Sequence, residues 1–459
     1  MRKLFPCFLT VALLPTALLP HFLQAQPSDL EALVDSIARE HVGTRIAGLS
    51  VGVIRGDEML LNKSYGHANL QWQVPMPLDA VHEIGSITKQ FTTVAILQLS
   101  GQERLNLDAD IHEYLPDFDT QGRQISIRRL MDHTSGIKGF TEMAEFREIS
   151  QRKLPREVLL RLIEKQAYEF EPGAAMIYNN SAYFLLGLII ETVSGQPFEQ
   201  YVQKHLFDVV GMPDSSYCSN EELVLNKAEG YQYTPGGLTL ARYHDHTWPY
   251  AAGSLCSTVS DLLAWNQALH KGELLSPELY ATLITPVPLD DGTPVRYAMG
   301  LVHYEHPTGR IIEHGGGIDG FLSHSRYYPD EDLTVVVLQN TGGPPGPAAI
   351  TNQIGEELFG TRELYRAQSL PEDTSAFAGT FRGPARGAIY TVTTAVVDGQ
   401  LTAVVQAGDT ARPSESLTFI GDNVFALNDT RYIFDTRGGE PILRIDSPAS
   451  HYVLRAVDD

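Results

Sequence analysis

Ile84-Gly85-Ser86-Ile87-Thr88-Lys89-Gln90-Phe91-Thr92-Thr93-Val94-Ala95-Ile96-Leu97-Gln98-Leu99 sets a hydroxyl and an amine one helical turn apart in an otherwise apolar stretch. Apolar residues recur at spacings of three and four, which predicts a buried helix. Residues i and i+3 share a helix face, so the Lys89 amine can reach the Ser86 hydroxyl. A serine is a poor nucleophile until a neighbouring base takes its proton, and a lysine serves only if its pKa falls from about 10.4. Desolvation against an apolar wall lowers it. The spacing alone is cheap: Ser150-Gln151-Arg152-Lys153 repeats it among charged residues, where a lysine stays solvated. An N-cap serine with a snorkelling lysine would also produce the pattern, so the pair needs partners.

The chain has 459 residues, 43% hydrophobic and 20% charged, which fits a globular protein of one large and one small domain. Met1-Arg2-Lys3, an apolar run from Leu4 to Leu23 and Gln24-Ala25-Gln26 have the three parts of a secretory leader. Pro6, Pro15 and Pro20 interrupt that run, so a cleaved leader over 1–25 is expected rather than a retained anchor, and with it a secreted or periplasmic protein with no stable membrane insertion. Losing Arg2 and Lys3 takes the formal net charge from -22 to -24. Such acidity excludes nucleic acid and anionic membrane surfaces as partners. Of the three cysteines Cys7 leaves with the leader; Cys218 and Cys256 form one disulfide or stay as two buried thiols. No His-x-x-x-His or Cys-x-x-Cys motif occurs and neither cysteine has a metal-ligand neighbour, so neither metal nor cofactor is expected.

Leu30, Leu33, Val34, Ile37 and Ala38 predict an amphipathic helix from Pro27 to about Val42, capped by Ser28. Strands 48–54 and 59–65 follow, joined by the hairpin turn Arg55-Gly56-Asp57-Glu58. Pro155 opens a helix to about Gln166, and another runs from Ser181 to Gly195. Strand character returns at 310–314 and 333–338, with a turn at Asp330-Glu331-Asp332, before a helix over 348–359. The order predicts an α+β fold: one antiparallel sheet from both chain ends, flanked by helices, with a helical insert. Its span is 26–362. After a polar linker, 363–375, short strands about ten residues apart, with a turn at Asp398-Gly399, predict a small antiparallel β-barrel over 376–459. No catalytic cluster is visible in it, which suits a structural or gating role.

Partners for Ser86 and Lys89 lie further along. Tyr178-Asn179-Asn180 sits on a loop entering a helix, where catalytic side chains tend to sit. A lysine cation would favour a Tyr178 phenolate as a base, and the Asn180 amide can bond both Lys89 and substrate. Glu313-His314-Gly315-Gly316-Gly317 ends an apolar strand whose glycines bare its edge to a substrate backbone. The N–H groups of Gly317 and Ser86 can face a developing oxyanion, and His314 can donate a hydrogen bond or act as a cation when protonated.

These three pieces, in this order, resemble the serine β-lactamase and penicillin-binding-protein superfamily, in which Ser-x-x-Lys is a known motif. The similar branch holds class C β-lactamases, β-lactamase-like esterases, D-alanyl-D-alanine carboxypeptidases and D-aminopeptidases. Leu130-Met131-Asp132-His133-Thr134-Ser135-Gly136-Ile137, Gly253-Ser254-Leu255-Cys256-Ser257-Thr258 with Asp261, and Tyr327-Tyr328-Pro329-Asp330 also look like segments of that branch. The resemblance implies Ser86 as nucleophile, Lys89 and Tyr178 as the proton-handling pair, Asn180, His314, Gly315 and Gly316 as substrate contacts, and Ser86 and Gly317 as oxyanion donors. β-Lactamases typically have lysine where His314 stands, whereas esterase-like and D-aminopeptidase-like relatives often have histidine. The expected activity is therefore hydrolysis of esters or D-amino-acid peptides and amides, with weak β-lactam hydrolysis. The barrel resembles the lipocalin-like domains of some relatives. A slowly acylating penicillin sensor or binding module of the same fold is the alternative. Gly48-Leu49-Ser50-Val51-Gly52 fits the α/β-hydrolase elbow, but an apolar strand runs on through it instead of turning into a helix.

Overall fold

The computed structural model describes residues 27–435 and 439–457. The expected leader lies outside them. The main sheet has seven strands in the spatial order Val302–His306, Gly309–Ile318, Phe321–Tyr328, Leu333–Gln339, Gly48–Arg55, Glu58–Asn69, Val74–Pro75. All neighbours are antiparallel, and Val51 pairs with Val337, so both chain ends build the sheet as expected.

Alternation along the strands decides what each face holds. Leu49, Val51, Val53, Val335 and Val337 pack with Leu30, Val34 and Ile350 under helices Pro27–His41 and Pro347–Phe359. Each such buried side chain contributes roughly 1.5–3 kcal/mol. Ile54, Val336 and Leu338 join Val259 and Leu262 of helix Val259–His270 on the other face. A Cβ on Gly52 would lie 2.3 Å from Val259 Cγ1, so glycine is what lets that helix seat. Burial on both faces explains why strands 48–55 and 333–339 read as apolar runs. Ser50 lies mid-strand with its Oγ 3.0 Å from Ser64 Oγ, which disposes of the elbow reading.

Some expectations shift. The first helix is described over Pro27–His41. The Pro155 helix spans Arg156–Glu164. Helix Asn180–Ser194 is capped by the Asn179 side chain and stops at Gly195, φ 71°. Strands Val302–His306 and Phe321–Tyr328 escaped the sequence reading. The second carries Ser323, His324, Ser325 and Arg326, all buried but polar, so hydrophobic alternation fails there. Cys218 and Cys256 form a disulfide with Cα atoms 5.2 Å apart. Among the described residues no helix is long and apolar enough to cross a membrane.

The C-terminal part is a closed eight-strand antiparallel barrel, its first strand Gly379–Ala385 pairing with its last, Ser450–Ala456. Phe377, Phe381, Phe425, Phe434 and Leu443 fill it. The last strand also pairs outward with Met176–Ile177, Ser450 opposite Ile177. That contact ends one residue before Tyr178. Arg296 reinforces the joint, donating to the Asp446 and Asp429 carbonyl oxygens at 2.6 and 2.8 Å.

Candidate active site

Ser86 sits in a 3-10 turn, Gly85–Ile87, that feeds helix Thr88–Gly101. The segment before it is fixed on two sides. The Ile84 N–H donates to Leu255 O at 3.0 Å, and the Ser323 hydroxyl donates to Ile84 O at 2.8 Å. Strand Leu255–Ser257, which contains Cys256, pairs with His82–Glu83, so the disulfide ties down the approach to the turn. Two glycines allow the close fit. A Cβ on Gly316 would stand 2.0 Å from Ile84 O, and Gly85, at φ 51°, would place one 2.8 Å from Gly317 N. The neighbouring strand Val302–His306 stops at Glu313 in the register, leaving His314 to Ile318 without a strand on that edge. Ser86, Asn180, Gly317, Phe140, Phe146 and Trp248 line one cavity of about 450 Å³.

Lys89 is 0% exposed. Its Nζ lies 3.2 Å from Ser86 Oγ and donates to Asn180 Oδ1 and Ala252 O, both at 2.8 Å. Burial, helped by the nearby Arg386 cation, holds its pKa well below that of an ordinary lysine. A neutral amine has two N–H bonds and one lone pair. With Asn180 and Ala252 taking the two hydrogens, the lone pair is left for the Ser86 hydroxyl.

Tyr178 is buried, its ring centroid 4.8 Å from Lys89 Nζ, and its hydroxyl makes no hydrogen bond of good geometry. Burial pushes the phenol above its ordinary pKa, and the proximity of Ser86 and Arg386 offsets this only in part. That burial disfavours the phenolate the sequence suggests. The Leu130–Ile137 segment positions it. His133, at φ 64°, takes the Asn179 N–H on its Nδ1 at 3.1 Å and packs against the Tyr178 ring, centroids 4.5 Å apart.

Of the two roles open to His314, hydrogen-bond donor or protonated cation, its surroundings disfavour the cation. Its Nδ1 lies 2.6 Å from Gly315 O, an obligate acceptor, so Nδ1 carries the hydrogen and Nε2 accepts from the Tyr297 hydroxyl at 3.0 Å. Burial takes its pKa down to about 3. His314 is neutral near pH 7, with both nitrogens occupied.

Other residues at the site were invisible to spacing. Asn180 Nδ2 donates to Thr141 Oγ1 at 3.1 Å, whose hydroxyl donates to Glu142 Oε2 at 2.7 Å. Arg386, from the barrel, donates through Nε to Glu142 Oε1 at 2.8 Å. Its guanidinium carbon lies 4.9 Å from the Tyr178 ring centroid. Ser150 is buried and lines the same cavity, but its spacing partner Lys153 bonds Glu221 at 2.5 Å on the surface, so the second Ser-x-x-Lys has no amine beside its serine. Among the described residues one group, Glu83, His244 and His246, brings metal-type ligand atoms within 4.8 Å of one another. The Lys227 ammonium, 2.8 Å from Glu83 Oε1, already neutralises that carboxylate.

The β-lactamase family profile matches residues 34–357. The chain therefore belongs to the β-lactamase family. A putative penicillin-binding protein of Bacillus subtilis is 30% identical over 308 residues, 67% of this chain and 74% of that one. A D-aminopeptidase of Gluconobacter oxydans is 26% identical over 313 residues, covering 68% of this chain and 58% of the enzyme. The octameric penicillin-binding protein homologue from Pyrococcus abyssi superposes with a TM-score of 0.62 at 22% identity, over 93% of this chain and 99% of that one. That likeness extends the shared fold through the barrel.

Proposed function

We propose that this protein is an exported serine hydrolase that works through an acyl-enzyme on Ser86, cleaving carboxylic esters or amides of the D-amino-acid peptide type, with weak turnover of β-lactams. One observation carries the reading: a fully buried Lys89 whose Nζ lies 3.2 Å from Ser86 Oγ, in surroundings that disfavour its charge. Lys89 takes the Ser86 proton as Oγ attacks the carbonyl carbon. The oxyanion is received by the N–H groups of Ser86 and Gly317. Tyr178, a phenol, gives its proton to the leaving amine or alkoxide and recovers one from the Lys89 ammonium. Water then attacks the ester carbonyl under the same base and frees Ser86. The D-aminopeptidase and penicillin-binding relatives support amide and D-peptide substrates for this chain. The test is steady-state turnover of a p-nitrophenyl ester, nitrocefin and a D-alanyl anilide side by side, in wild type and Ser86→Ala. Loss of every activity in the variant is expected; full retained turnover would sink the assignment.

A further inference from the structure

Arg386 is the tip of the barrel's first hairpin, between strands Gly379–Ala385 and Ala388–Val397. Its place is built. Ala385 pairs with Ala388, and Gly387, at φ 72°, has Glu142 Cγ only 3.0 Å from where its Cβ would stand. The barrel's last strand is bonded to the strand beside Tyr178. A hydrogen-bonded chain runs from Lys89 through Asn180, Thr141 and Glu142 to Arg386. Only Nε of the guanidinium is used in it. Among the described residues the two terminal nitrogens have no hydrogen-bond partner, and the side chain is 41% exposed.

Three other basic groups at the cleft are engaged: Lys89 and His314 are buried and internally bonded, and Arg242 on the cavity wall is held by Asp319 at 3.0 Å. The proposed role of Tyr178 indicates which part of a substrate Arg386 would meet. Tyr178 hands its proton to the leaving group, so the leaving group passes the Tyr178 ring, and the guanidinium lies 4.9 Å from that ring. A planar fork with unused donors fits a carboxylate, taken through two parallel N–H bonds.

We propose that Arg386, supplied by the barrel, is the receptor for a carboxylate on the leaving group, so that the preferred substrates are peptides whose C-terminal amino acid leaves with its carboxylate free. This rests on the Ser86 reading above and narrows it to carboxypeptidase-type cleavage. In the step itself the Ser86 Oγ–C bond forms and the peptide C–N bond breaks. The amine takes one proton from Tyr178 and leaves as the free amino acid, and water hydrolyses the acyl ester to the second acid. A substrate that brings a free α-ammonium to this end of the cleft would be repelled.

The test compares kcat/KM for N-acetyl-D-Ala-D-Ala and its C-terminal amide, with a neutral p-nitrophenyl ester as the measure of Ser86 chemistry in each variant. The full chain is expected to prefer the free acid by roughly 10- to 100-fold, the size of a charge-assisted hydrogen-bond pair. Arg386→Ala should collapse the acid-to-amide ratio toward 1, chiefly through KM of the acid, and Arg386→Lys should recover part of it. Glu142→Gln keeps the guanidinium but removes a competing anion, so the ratio should rise. Ester turnover with an unchanged ratio in Arg386→Ala, no preference in wild type, or no cleavage of either peptide overturns the Arg386 assignment and leaves the Ser86 reading standing. No ester turnover and no acylation of Ser86 in wild type overturns both.

Discussion

Gly316→Ala is the substitution whose cost the structure fixes most directly. An alanine Cβ would fall 2.0 Å from Ile84 O and 2.3 Å from Ser323 Oγ, where ordinary contacts keep beyond 3 Å. The Ile84–Ser86 turn must then retreat by about 1 Å, or Ser323 must give up its bond to Ile84 O. Overpacking of this kind costs roughly 1–3 kcal/mol. Losing the Ser323 hydrogen bond adds about 1 kcal/mol. The kinetic effect is larger than the loss of stability suggests, because Ser86 N–H and Gly317 N–H lie on the two segments being forced apart, and a misplacement of about 1 Å costs on the order of 100-fold. Gly315→Ala is the packing control: its Cβ meets nothing nearer than His324 Cδ2 at 3.5 Å, so its unfolding free energy should stay within about 0.5 kcal/mol of wild type. Steady-state hydrolysis of a p-nitrophenyl ester, paired with thermal unfolding, reads both quantities. Wild-type kcat in Gly316→Ala, or equal losses of stability in the two variants, would refute the packing argument.

Other expectations concern the proton path and the staple. The acid limb of kcat/KM reports Lys89 losing its proton, so activity rises as pH climbs through a pKa well below that of ordinary lysine, and no fall follows near pH 9 because burial raises the Tyr178 phenol. His314 is held to about 3, so the limb should persist in His314→Gln; a limb that vanishes with the histidine contradicts the neutral assignment. Tyr178→Phe should cost about 10²- to 10⁴-fold on amides, whose leaving group needs a proton, and much less on a p-nitrophenyl ester. Equal losses on both substrates would remove Tyr178 from leaving-group protonation. The disulfide spans a separation of 38 residues, which the loop-entropy relation converts to about 4 kcal/mol. Reduction should lower the unfolding free energy by that order, and a change below about 1 kcal/mol would show that the loop is restrained without it.

How much of this could be read from the sequence depends on how far each signal reaches along the chain. Ser86 and Lys89 share one helical turn, and Tyr178 and Asn180 share one loop, so local signals made them candidates, but the spacing recurs at Ser150 and Lys153 and only the order of the motifs, through the family resemblance, gave them roles. The sheet followed because strands 48–55 and 333–339 are buried on both faces and therefore apolar throughout. Phe321–Tyr328 stayed hidden because its buried positions hold Ser323, His324, Ser325 and Arg326, satisfied by partners such as Glu313 and Asn352 that lie elsewhere in the chain. Protonation states needed the environment. Tyr178 and His314 change character through burial and through Tyr297, which no spacing connects to them. Arg386 was the least accessible of all, since 208 positions separate it from Tyr178 and only barrel closure brings the hairpin tip to that ring.

In the proposed mechanism Ser86 carries the acyl group because an uncharged Lys89 activates it. Peptide mapping by mass spectrometry after brief exposure to a fluorophosphonate at pH 7.5 tests this directly, comparing wild type with Lys89→Met. A single adduct on Ser86 is expected, formed at least about 100-fold more slowly when the base is gone. An adduct on Ser150 or another serine, or an equal labelling rate without Lys89, would contradict it.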